Sequence, residues 1–92
     1  MEYEVKHEKG RFYEKTEHGE AVLLYKPAGK AKINIYHTFV PEEDRGKGIA
    51  ERLARAAFEY AKEKGLKVIP GCPYISYFVE KHKEAKGYVA LD

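Results

Sequence analysis

Arg45-Gly46-Lys47-Gly48-Ile49-Ala50 is the stretch of this chain whose residue types and spacing point most directly to chemistry. It follows Pro41 and joins an alternating apolar run (Ile33, Ile35, Tyr36, Phe39, Val40) to the longest helical pattern in the sequence. A strand that breaks at a proline, turns through Arg-Gly-Lys-Gly and opens a helix builds an anion-binding loop. Glycine lets the backbone come close to a ligand, and the first helical N–H groups have no intrahelical partner. Those groups and the helix dipole favour a phosphate, with Arg45 and Lys47 either neutralising its charge or standing solvated. Cys72, directly before Pro73, is the second candidate. If a helix begins at Pro73, Cys72 is its N-cap, where the dipole favours a thiolate that can act as nucleophile or base. The plainer alternative is a small, half-buried cap chosen for size. His37, on the strand feeding the loop, is a candidate base in its neutral form, or an edge-packing residue.

The remaining polar groups carry weaker signals. His7, His18 and His82 are scattered without ligand spacing, so no metal site is expected. Glu42, Glu43 and Asp44 read as solvated acids of the turn, with the collection of a cationic amine as the alternative. Tyr74, Tyr77 and Phe78 read as a core stripe, although a Tyr hydroxyl there could serve as a general acid.

The elements that position these groups follow from the apolar periodicity. Tyr3–His7 and Arg11–Lys15 alternate around Glu8-Lys9-Gly10 and predict a hairpin. Ala21–Tyr25 is a continuous apolar run, predicting a central strand covered on both faces, and Lys32–Val40 is a fourth strand after Pro27-Ala28-Gly29. After Gly48 the period changes. Ile49, Leu53, Ala56, Ala57, Tyr60 and Ala61 recur at helical spacing, Glu51, Arg52 and Arg55 fall on the other face, and Gly65 is a natural stop. Leu66–Ile69 then predicts a strand parallel to the fourth, since a strand–helix–strand order favours a right-handed crossover. Pro73 opens a second helix, and Tyr88–Leu91 predicts a last short strand. The class is α+β: an antiparallel four-stranded meander followed by a loop–helix–strand–helix unit, with residues 1–92 as one domain.

Composition narrows the function classes. The 17 Lys and Arg are nearly balanced by 15 Asp and Glu, interleaved along the chain, which argues against a dedicated nucleic-acid or membrane surface. One cysteine excludes an internal disulfide and fits a reducing cytoplasm. No apolar run reaches the length of a membrane span, and Met1–Val5 lacks the features of a signal peptide. A sheet this small with exposed edges leaves room for self-association as a homodimer.

Three glycine-loop families compete for Arg45–Ala50. A nucleotide-binding loop requires Ser or Thr after Gly-Lys, where Gly48 stands, and a first glycine where Pro41 stands. A dinucleotide fingerprint requires a third Gly or Ala where Glu51 stands. The pattern Arg-x-x-Gly-x-Ala instead resembles the coenzyme A pyrophosphate loop of the GNAT acetyltransferase superfamily. The flanks His37-Thr38-Phe39-Val40-Pro41 and Pro70-Gly71-Cys72-Pro73-Tyr74 extend the likeness to very short GNAT-like proteins. It covers about two thirds of the chain, from roughly Ala21 onward. Two departures stand out: no helical pattern precedes the first strands to wall an acceptor site, and His82-Lys83 stands where the short family carries His-Pro.

The resemblance implies acetyl-coenzyme A as co-substrate, with the backbone of Arg45, Gly46, Lys47, Gly48, Ile49 and Ala50 cradling its pyrophosphate. Pantetheine would lie where the strand ending at Val40 splays from Leu66–Ile69, and the thioester near Thr38, Phe39 and Cys72. A backbone N–H near Phe39 or Val40 would meet the developing oxyanion. Transfer to an amine further requires a base for the ammonium and an acid for the thiolate. The expected activity is N-acetyl transfer to an unidentified amine. A coenzyme A-binding module without acceptor chemistry is the rival, and a small nucleic-acid-binding domain using Lys and Tyr the more distant one.

Overall fold

The computed structural model describes residues 4–90. Five strands, β1 (Lys6–Glu8), β2 (Arg11–Thr16), β3 (Gly19–Pro27), β4 (Lys32–Phe39) and β5 (Lys67–Pro70), lie side by side in chain order. The first four form the expected antiparallel meander, and β5 pairs parallel to β4. A one-turn 3-10 helix (Glu42–Asp44) and helix α1 (Ile49–Lys64) connect β4 to β5, and helices α2 (Pro73–Lys81) and α3 (Lys83–Lys86) follow. Tyr3 and Leu91, included in the predicted first and last strands, lie outside the described residues.

All the helices serve one core. In β3 only Ala21, Leu23 and Tyr25 are buried, while Val22 and Leu24 are half-buried, so the predicted two-sided cover of this strand is corrected to one side. The run Ala21–Tyr25 is apolar throughout, yet α1 and α2 pack on a single face and share one core cluster with it. The opposite face carries Tyr36, His37 and Phe39 of β4, the last two paired across to Leu24 and Val22.

Helix α1 begins and ends where the sequence places it. At its end the Leu66 N–H returns to the Ala61 carbonyl at 2.8 Å, while Lys62 and Lys64 complement the dipole. Its buried stripe, however, is Ile49, Leu53, Ala54, Ala57, Phe58 and Ala61, with Ala56 and Tyr60 only partly covered. The stripe is rotated because α2 covers a second flank, stacking Phe78 on Phe58 at 5.5 Å. Arg52, assigned to the solvent face, instead reaches back to Glu14 of β2, which is fully buried.

The aromatic face predicted for α2 is also corrected. Ile75 and Phe78 face the core, Tyr74 is half-buried, and Tyr77 stays exposed. Among the described residues α3 is followed by an isolated parallel bridge from Val89 to Val68 and not by a terminal strand. Lys83 supplies the first residue of α3, a position that a proline would also fit, with His82 turning between the two helices in an extended conformation. Among the described residues no helix is long and apolar enough to cross a membrane, and no three His, Cys, Asp or Glu side chains cluster to hold a metal.

Candidate functional site

The loop after β4 is built by its local sequence. Val40 is buried, Pro41 starts the turn, and the Asp44 N–H closes the turn on the Pro41 carbonyl at 2.9 Å. Gly46 and Gly48 both take left-handed conformations, at φ +86° and +80°, which L side chains adopt only with strain. A Cβ at either position would meet nothing within 4 Å, so both glycines border open space. The first helical bond of α1 runs from the Arg52 N–H to the Gly48 carbonyl at 3.1 Å. The amides before it therefore project out of the helix end, as an anion cradle requires.

The cations of the loop are engaged differently from one another. Arg45 is exposed and its Nε donates to the Val40 carbonyl at 3.2 Å. Lys47 donates through Nζ to Asp44 Oδ1 at 2.9 Å and lies 3.8 Å from Glu17. Asp44 is thereby a correction to the sequence reading of three solvated acids. Glu42 and Glu43 are exposed, but Asp44 is 1% exposed and bonded on both oxygens. Oδ2 accepts the His18 backbone N–H at 3.2 Å, and Oδ1 pairs with His18 Nδ1 at 3.0 Å. The buried Thr16 hydroxyl, close by but outside hydrogen-bond geometry, adds its dipole. Thr16, then His18 and Lys47, hold the Asp44 carboxyl well below the usual carboxylate range against the opposing effect of desolvation. The same hydrogen bond raises the His18 pKa, desolvation opposing and the charges of Asp44, Glu43 and Glu17 assisting. His18 is thus not an isolated histidine. Neither is His7, which stacks on Phe12 at 4.0 Å and bonds the Tyr25 hydroxyl, desolvation lowering its pKa.

Beyond the loop, β4 and β5 part company. Their ladder runs from Lys32–Lys67 to Ile35–Pro70 and stops. Pro70 has no N–H to extend it, and Gly71 makes the last backbone contact, donating to the Ile35 carbonyl at 3.0 Å. At the same place β4 carries a bulge, since Tyr25 pairs with Ile35 but Leu24 with His37. A bulged strand bends and twists more strongly.

Past this parting lies a cleft of about 430 Å³, lined by Thr38, Phe39, Val40, Arg45, Gly46, Gly48, Ile49 and Ala50, with Asp44, Glu51, Tyr74 and Tyr77 completing the wall; neither β5 nor Cys72 lines it. Of the residues singled out for cofactor binding, Lys47 alone is absent from this lining; its ammonium is turned to Asp44. Cys72 caps α2 as expected, 7% exposed, with Sγ 3.3 Å from the Thr38 hydroxyl. His37 is exposed, on the face of β4 opposite Thr38, and does not line the cleft. Sequence reasoning missed Glu51, because an acid in the first helical turn looks solvated. It read Tyr74 and Tyr77 as core, with a general-acid hydroxyl as the alternative, and both line the cleft. Desolvation, then the charge of Glu51 and the Tyr77 hydroxyl, push the Tyr74 phenol upward.

A five-stranded sheet that parts between its last two strands, beside a glycine loop opening a helix, defines a GNAT-like α+β domain. Residues 2–88 match the model of the GCN5-related N-acetyltransferases, and the chain belongs to that family. It is 43% identical over 65 residues to Protein NATD1 of Xenopus tropicalis, a match covering 71% of this chain and 60% of that protein. The Danio rerio Protein NATD1 is 45% identical over the same length, covering 71% and 59%. The chain thus matches less than two thirds of these relatives' length. The NMR solution structure of a GCN5-like protein from Staphylococcus aureus superposes with a TM-score of 0.79 at 30% identity, covering 97% of this chain and 90% of that one.

Proposed function

We propose that residues 1–92 form one domain that binds acetyl-coenzyme A and transfers its acetyl group to an amine. The observation that carries this reading is one cleft that joins the glycine loop to the end of β4 at Thr38 and Phe39, past the point where β5 leaves the ladder. Its volume of about 430 Å³ lies within the range of small-molecule sites. The residues present fit the co-substrate. The open space over Gly46 and Gly48 suits a pyrophosphate, and the unpaired edge of β4 after Ile35 suits the amide groups of pantetheine.

In the reaction, a base takes the ammonium proton, and the freed amine attacks the thioester carbonyl carbon to give a tetrahedral adduct. The C–S bond then breaks, the remaining surplus N–H proton passing to the leaving coenzyme A thiolate. A backbone N–H near Phe39 or Val40 stabilises the oxyanion. Cys72, beside Thr38, serves as nucleophile or base at the thioester end. His37, on the uncovered face of the sheet, takes the proton of an acceptor that approaches from that side. The acceptor is a small molecule or a protein amine. We place the protein in the cytoplasm, consistent with its one free, buried cysteine.

Thermal unfolding with acetyl-coenzyme A, coenzyme A, ATP and NAD side by side tests the binding half. A ligand at about 100 times its dissociation constant stabilises by roughly 2.7 kcal/mol. A shift with ATP or NAD and none with coenzyme A overturns the reading. Free-thiol release from acetyl-coenzyme A across an amine library tests the transfer half. The half-buried, uncovered face of β3 and β4 favours one second reading, a coenzyme A-binding module completed by a partner, and release no faster than the blank would support it.

A further inference from the structure

Asp44 does something in this loop that anion binding alone does not ask for. It is a buried carboxylate lining the same cleft as the glycines, where its charge would repel a phosphate. Yet both of its oxygens are committed to a segment 26 residues away, the His18 backbone and ring in the β2–β3 turn. Lys47, inside the loop, returns to the same carboxylate. Helix α1 holds the exit of the loop. Its entry is the one-turn 3-10 helix that ends at Asp44, just before the left-handed Gly46, and this contact ties that turn to the β2–β3 turn.

Resting on the coenzyme A reading above, we propose that Asp44 is the positioning residue of the phosphate loop, clamping its entry to His18 so that the Gly46–Ala50 amides are held ready for the ligand. His18 and Lys47 offset the charge that the clamp places beside the phosphate. The groups facing His18 are Asp44, Glu43 and Glu17, with Thr16 and Lys47 completing the cluster around Asp44. Protonated His18 gives the clamp both its strongest bond and its best neutralisation. Coenzyme A affinity therefore weakens as pH rises through the His18 titration, whose midpoint lies above the ordinary value of 6.5.

Asp44→Asn separates positioning from mere proximity, because the two predict opposite signs. If Asp44 were only a nearby charge, its removal would leave coenzyme A binding unchanged or tighter. As the clamp, its loss weakens binding by about tenfold, raises KM for acetyl-coenzyme A while kcat at saturation holds within about twofold, and removes the His18-linked pH step. In the unliganded protein, amide hydrogen exchange at Gly46–Ala50 accelerates in Asp44→Asn and, to a smaller degree, in His18→Ala, which keeps the carboxylate. The His18 ring titration moves back toward 6.5 in Asp44→Asn. Unchanged loop exchange in both variants, or equal or tighter coenzyme A binding in Asp44→Asn, overturns the proposal. Accelerated exchange in variants of a wild type that itself ignores coenzyme A keeps the clamp and rejects the coenzyme A reading instead.

Discussion

Replacing Gly48 by alanine separates the cost of folding this loop from the cost of using it. Gly48 sits at φ +80°, and a Cβ there would meet nothing within 4 Å, so the unliganded protein loses only the left-handed strain. That strain is about 1–2 kcal/mol for an L-residue. For a chain of this size each kcal/mol lowers the unfolding midpoint by roughly 4–8 °C. Binding should suffer more. The methyl stands in the cleft where phosphate oxygens must come within about 2.7–2.9 Å of backbone N–H groups. Losing even one charge-assisted bond costs about 1.5–3 kcal/mol, roughly a tenfold to hundredfold rise in Kd. Gly29 supplies the control, since it has φ +79° and equally open surroundings but lies in the β3–β4 turn, outside the cleft. Calorimetric titration with coenzyme A and a thermal melt on the same samples measure both quantities. Gly29→Ala should lower the midpoint as Gly48→Ala does and leave Kd alone. If Gly48→Ala loses stability but keeps its affinity within about twofold of wild type, the phosphate does not sit on this loop.

Other perturbations test the supports around it. Arg52→Ala strands Glu14, which is fully buried, while Arg52 itself is 40% exposed and its removal admits some water. The expected loss is about 2–3 kcal/mol, or roughly 10–20 °C, and the double change Glu14→Leu with Arg52→Met should recover most of it in a thermal melt. The clamp should give a stability window in pH. The lowered Asp44 pKa contributes stability that is present above 3.8 and lost as pH falls through its folded value. The raised His18 pKa contributes stability that is full below 6.5 and lost as pH rises through its folded value. The midpoint difference between wild type and His18→Ala should thus be largest near pH 5–6 and shrink on the alkaline side; a difference that grows above pH 8 would contradict it. Cys72, the sole cysteine, should be alkylated by iodoacetamide at least about tenfold more slowly with saturating coenzyme A, and equal rates would remove it from the thioester end.

The parts of this molecule that were legible in the sequence are those whose causes are local. The period change at Gly48, the stop at Gly65 and Pro73 at the start of α2 each act within one turn of chain, and each boundary stands where the residues put it. The glycine loop was legible for the same reason. What escaped depends on what crosses over in space. Glu42-Glu43-Asp44 is three acids in a row, and nothing in that string marks the third as the one that meets His18. Glu14 sits in an alternating strand at an inward position, a signal that was present: a charge at an inward position needs a partner, and Arg52 is that partner. The apolar run of β3 misled because continuous hydrophobicity describes a strand, not the number of layers packed on it.

The gap between β4 and β5 beside the cleft is the joint product of two small irregularities, neither of which would make it alone. Pro70 ends the parallel ladder by withholding an N–H, but a ladder can stop without its strands diverging. The bulge at Tyr36 bends β4, but a bend within a continuous sheet would carry its neighbour along. Here the bend begins one residue past Ile35, the last β4 residue that β5 holds, so only β3 follows the bent half. That half leads into Val40, Pro41 and the glycine loop, while β5 leads the other way into Cys72 and α2. The Thr38–Cys72 contact at 3.3 Å spans the resulting gap near its vertex. Because Thr38 pairs with Leu23 on the helix side and His37 with Leu24 on the uncovered side, the gap is bordered by a different candidate group on each face of the sheet. In the proposed reaction, a ligand entering from the loop and an acceptor arriving at the uncovered face would meet through the edge of β4, without either having to cross the core.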